Sequence, residues 1–127
     1  MKKNGLLNGP LNAALGGLGH GHLVVIADCG LPLPDSAAVV DLALVKGIPR
    51  FADVLRAVLA DVDIEASMIA SEASGSVVEA TVRAEGLSPS YVTHEELKAL
   101  LPSARLIIRT GEATAYANVV LRCGVTF

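Results

Sequence analysis

Apolar strand-like runs that alternate with helical segments predict a single layered α/β domain, a central sheet flanked by helices. Three observations carry that expectation. Leu23 to Ala27 is a continuous aliphatic run closing on Asp28, the pattern of a strand covered on both faces. Phe51, Val54, Leu55, Val58 and Leu59 fall at i, i+3, i+4, i+7 and i+8, the stripe of a core-facing helix. The length of 127 residues matches one domain, spanning 1–127.

The elements follow in order. Asn8-Gly9-Pro10 is a turn that places proline at a first helical position, and a short helix runs to about Leu18 before Gly19. The strand to Asp28 comes next. Cys29 to Asp35 holds two prolines that cannot continue a ladder, so it is a loop. Val39 to Leu44 is a second strand, and Lys46-Gly47-Ile48-Pro49 turns into the amphipathic helix. Ile64, Ala66, Met68 and Ala70 alternate as in a strand. Residues 71–90 are ambiguous: Val77 and Val78 favour a strand, while Glu79 to Glu85 tolerate a helix. Thr93 and Glu96 form a capping box, and Pro102 stops the helix it opens. Leu106-Ile107-Ile108 and Val119-Val120-Leu121 are the last strands.

Composition narrows the function classes. The chain is 52% hydrophobic and 18% charged, with a mean hydropathy of +0.54, so it is not a disordered linker. Aromatic residues are only 3%, so aliphatic side chains must build the core. So much apolar surface on a small domain predicts a homo-oligomer. A net charge of -3 lacks the basic face that nucleic acid requires. No apolar run reaches the roughly 18 residues of a membrane span, and Asn8, Gly9, Pro10 and Asn12 interrupt any signal-peptide core. The expected location is the cytoplasm. Cys29 and Cys123 form neither a CxxC pair nor a disulfide framework, so they read as reduced thiols.

Candidate site residues emerge from side-chain type and place. The glycine-rich stretch Gly16 to His22 precedes a strand instead of following one, which argues against a dinucleotide loop. His20 is flanked by Gly19 and Gly21, which leave room for a substrate, and imidazole moves protons near neutrality. A solvated loop histidine is the plainer alternative. On extended backbone His22 would point the same way as His20, yet two ligands are too few for a metal site. Asp28 ends its strand, where ligands of open α/β sheets gather. His94 opens a helix, and a neutral imidazole there both donates and accepts a hydrogen bond. Tyr116 and Asn118 flank Ala117, and strand alternation would put both on one face as readers of hydroxyls. Arg109 and Glu112 read as a surface pair.

Taken together these segments resemble the D-ribose pyranase family. Gly19-His20, the strand to Asp28, and Gly30-Leu31-Pro32 with Pro34 are similar to its amino-terminal signature. Leu42-Ala43-Leu44, Gly47-Ile48-Pro49 and Thr93-His94-Glu95 match its middle. Ile108 to Glu112, Tyr116-Ala117-Asn118 and Gly124 to Phe127 match its carboxyl end. The resemblance implies an isomerase that interconverts the pyranose and furanose forms of D-ribose, without metal or other cofactor, and supplies furanose to ribokinase. It implies His20 as proton donor, with Asp28, His94, Tyr116, Ala117 and Asn118 binding the sugar. It also implies a decameric ring whose sites are shared between subunits, with the Tyr116 to Asn118 stretch coming from the adjacent chain. Asp28 is expected to orient His20 or a sugar hydroxyl. The related L-fucose mutarotases share the Gly-His start, and a non-catalytic sugar-binding or regulatory protein is a third reading. Cys29 and His22 depart from the family pattern.

Overall fold

A computed structural model describes all residues 1–127. Six strands form one mixed sheet: β1 Leu23–Ala27, β2 Val39–Asp41, β3 Ile64–Ala70, β4 Ser90–Val92, β5 Leu106–Arg109 and β6 Val119–Cys123. Their order is β2-β5-β1-β6-β3-β4. β2, β5 and β1 run parallel, as do β3 and β4, while β6 lies antiparallel between β1 and β3. The four helices are α1 Gly9–Gly16, α2 Phe51–Leu59, α3 Val77–Ala84 and α4 His94–Leu100.

The period of two along the strands sorts side chains onto two cores. Val24, Ile26, Leu106, Ile108, Val119 and Leu121 face α1, α2 and α3 in a cluster of 17 buried residues. Val25, Ala27, Ile107 and Val120 face α4 in a cluster of 8, with Leu97 and Leu101. β1 is buried on both faces, which is why its sequence does not alternate. On α2 the expected stripe is the buried one: Phe51, Val54, Leu55 and Val58.

Several boundaries differ from the sequence expectation. α1 ends at Gly16 because Gly17 caps it through its backbone N–H. β2 stops at Asp41, whose carboxylate accepts from Ala43 N–H at 3.0 Å and turns the chain out of the sheet. Residues 71–90 fold as a 3-10 turn, then α3, then the start of β4. Val77 and Val78 are helical, not extended, because the Ser76 side chain caps the helix at Val78 N–H and Val78 and Val82 bury one face. Thr93 and Glu96 make the capping box, and a 3-10 turn through Pro102 follows Leu100. Arg109 pairs with Asp41 at 2.9 Å and not with Glu112, because β2 and β5 place Asp41 directly beside it.

Candidate active site

The sheet has two ends, and the candidate residues divide between them. At the carboxyl end of β1, Asp28 and Asn118 lock together. Asn118 Oδ1 accepts from Asp28 N–H at 2.8 Å, and its Nδ2 donates to Asp28 Oδ2 at 2.9 Å. The other oxygen of Asp28 accepts from Gly30 N–H at 2.9 Å. Asn118 is 0% exposed, so its amide is spent on holding Asp28 in place. Thr110 braces the same end, donating its hydroxyl to the Ala27 carbonyl at 2.8 Å.

Tyr116 occupies a turn with φ of 60°, a left-handed conformation that L side chains adopt at a cost. That turn aims its ring at His94, with the ring centroids 5.1 Å apart and edge to face. Tyr116 and Asn118 therefore do not share a strand face. The segment is a turn, so Tyr116 is exposed while Asn118 is buried. Ala117 is buried between them, its N–H donated to the Thr114 carbonyl.

His94 sits on the first turn of α4, its backbone N–H donated to both oxygens of Glu72, at 3.1 and 2.9 Å. Its Nδ1 is buried and has no hydrogen-bond partner, so a polar ligand atom would satisfy it. The Ser71 hydroxyl bond, aided by that backbone N–H, holds the Glu72 carboxyl below its ordinary 4.5 against the opposing effect of desolvation. Beside Asp28 a concavity of about 240 Å³ opens between Gly30, Lys46, Glu112 and Ala115.

His20 lies at the opposite end of β1. The five strand residues between it and Asp28 span about 15 Å. Asp28 therefore does not orient His20 within one chain. His20 and His22 do not point together either, since residues 20–21 form a turn and not a strand. The His22 ring folds back to accept from Gly19 N–H at 2.9 Å. His20 Nε2 instead meets Glu65 Oε2 at 2.9 Å, and Glu65 Oε1 meets Arg122 Nε at 2.9 Å. A concavity of about 480 Å³ lies beside His20, walled by Leu15, Leu18, Asp63 and the segment from Cys123 to Phe127. Burial, and then the Glu65 charge, push the Cys123 thiol up. Nowhere do three or more His, Cys, Asp or Glu side chains converge as metal ligands would.

Glu65, Glu72 and Arg122 were not among the sequence candidates. In an alternating strand Glu65 and Arg122 read as solvent-facing charges, and only the topology makes β3 and β6 neighbours.

This arrangement accompanies a clear kinship. The RbsD / FucU transport protein family matches residues 1–126. The chain belongs to that family. It is 48% identical over its whole length to a D-ribose pyranase of Geobacillus kaustophilus, covering 96% of that protein. It is 49% identical to a D-ribose pyranase of Streptomyces coelicolor, covering all of both chains. Among solved structures, Bacillus subtilis RbsD complexed with D-ribose superposes with a TM-score of 0.93 at 39% identity, covering all of both chains. A Streptococcus pneumoniae fucose mutarotase in complex with L-fucose shares the fold, with a TM-score of 0.80 at 22% identity and 94% of each chain covered.

Proposed function

We propose that this chain is a D-ribose pyranase, an isomerase that interconverts the pyranose and furanose rings of ribose. Full-length identity near 48% to proteins of that name carries the reading. Fold and sequence likeness to a ribose-bound relative supports it.

The chemistry suits the residues. Opening a cyclic hemiacetal removes a proton from the anomeric hydroxyl and delivers one to the ring oxygen. The C1–ring oxygen bond breaks as the carbonyl forms, and reclosure through a different hydroxyl changes ring size. His20 serves as the proton donor and shuttle. Asp28, His94 and the Tyr116-Ala117-Asn118 turn bind the sugar, Asn118 by holding the Asp28 carboxylate in place, with the free Nδ1 of His94 available to one hydroxyl. Positioned acid–base help contributes about 10²- to 10⁴-fold, enough for a reaction that already proceeds unaided.

His20 and the Asp28 cluster occupy opposite ends of the sheet. A site that uses both therefore takes them from two chains. In this reading the Tyr116 to Asn118 stretch of one subunit, together with its Asp28 and His94, faces the His20 of its neighbour. A decameric ring in the cytoplasm, supplying furanose to ribokinase, completes the proposal.

Saturation-transfer NMR on ribose tests the activity: exchange between ring forms should exceed buffer alone, persist with a chelator, and exceed any effect on L-fucose. Rates equal to buffer would sink the assignment. Subunit mixing tests the shared site. His20→Ala chains mixed with Asp28→Asn chains should recover part of the activity, because some sites then hold both intact groups. No recovery, with subunit exchange verified, would refute it.

A further inference from the structure

Glu65 stands where the strand itself is irregular. β3 pairs Ile64 with Cys123 and Ala66 with Arg122, so Glu65 is the extra residue of a bulge and faces no partner in the ladder. Bulges re-aim side chains, and this one brings the Glu65 carboxylate to both His20 and Arg122. Gly21, at φ of 80°, carries the turn that presents His20, with the Arg122 guanidinium packed close to it. A cross-strand Glu–Arg pair on an exposed surface needs no bulge and is worth little by itself.

The contact also has a chemical direction. An ionised carboxylate only accepts hydrogen bonds. A neutral His20 that keeps the Glu65 contact must therefore carry its proton on Nε2, which leaves the lone pair on Nδ1.

We propose that Glu65 is a positioning residue for the proton shuttle: anchored by Arg122, it fixes the His20 ring with Nε2–H toward the carboxylate and Nδ1 toward the sugar. Nδ1 takes the proton of the anomeric hydroxyl. The C1–ring oxygen bond then breaks, its electron pair goes to the ring oxygen, and that oxygen takes the proton back from Nδ1. His20 ends neutral, and nothing is consumed. The proposal rests on the His20 assignment above.

Nitrogen-15 NMR of the histidine rings, at a pH where they are neutral, tests it alongside ribose exchange kinetics. In the unaltered protein, His20 Nε2 should be the protonated nitrogen, with its proton sheltered from solvent exchange. Glu65→Ala should abolish that shelter and lower kcat on the order of 10-fold or more, with KM little changed. Glu65→Gln keeps an acceptor oxygen and should restore much of both. A proton on Nδ1, or full kcat in Glu65→Ala with assembly intact, overturns the role of Glu65 while leaving the pyranase assignment in place. Full activity in His20→Ala overturns the His20 assignment, and this proposal with it.

Discussion

The two ends of β1 carry different kinds of site. At the carboxyl end Asn118 is fully buried and Asp28 is held by three hydrogen bonds. At the other end the His20 side chain is 58% exposed on a glycine turn and has one side-chain partner. The proposed binding end is fixed by burial, while the proposed proton carrier is fixed by a single charged contact. Substrate recognition needs rigid geometry, and the energy for it comes from the core. A proton carrier needs access, so its orientation must come from a polar neighbour.

Substitutions at the two ends should separate rate from stability. The largest effect should come from His20→Ala, which should remove about 10²- to 10⁴-fold of the exchange rate while the melting temperature hardly moves. A large loss of stability there would collapse the contrast. Asn118→Ala should weaken both activity and fold, by about 1–3 kcal/mol in denaturant titration, because it leaves the Asp28 N–H without its acceptor.

Gly111 probes the packing of the same end. A Cβ there would lie 2.2 Å from the Ile48 carbonyl oxygen and 2.5 Å from that of Val45, both backbone atoms. Gly111→Ala should cost about 1–3 kcal/mol, and a neutral result would show that the 44–48 turn yields easily. Thr93→Ala removes the cap of the helix that bears His94 and should cost about 1 kcal/mol by the same titration.

The smallest effect concerns Glu72. Its folded-state pKa lies below the ordinary 4.5, through the Ser71 hydroxyl and the His94 backbone N–H. It therefore adds stability above pH 4.5 that is lost as pH falls through the lowered value. The stability gap between wild type and Glu72→Gln should be small at neutral pH and close on acidification. A gap that widens toward acid would contradict that sign.

How much of this was legible in the sequence depends on range. β1 and α2 could be read because burial writes itself into local periodicity. Thr93 and Glu96 could be read because a capping box is a local contact. The α3 region could not: two adjacent valines suit either state, and Ser76 capping with packing of Val78 and Val82 decided it. Near the carboxyl end of the sheet Asp28 meets Asn118 and His94 meets Tyr116, contacts between residues far apart in the chain that no local pattern foretells. The failures were tertiary. Alternation could not foresee that Tyr116 sits in a left-handed turn. Nothing local in Glu65 revealed its reach to His20, because that contact joins residues 45 apart.

The place of β6 in the sheet has a consequence for how the chain is made. β6 alone joins β1, β5 and β2 to β3 and β4. A nascent chain emerging from its amino end holds two disconnected strand groups until residue 123 is out. Neither group can bury its central edge before then, so the core should close late, in one concerted step once β6 has emerged. Until that moment the edges of β1 and β3 are open to wrong partners, including other unfinished chains.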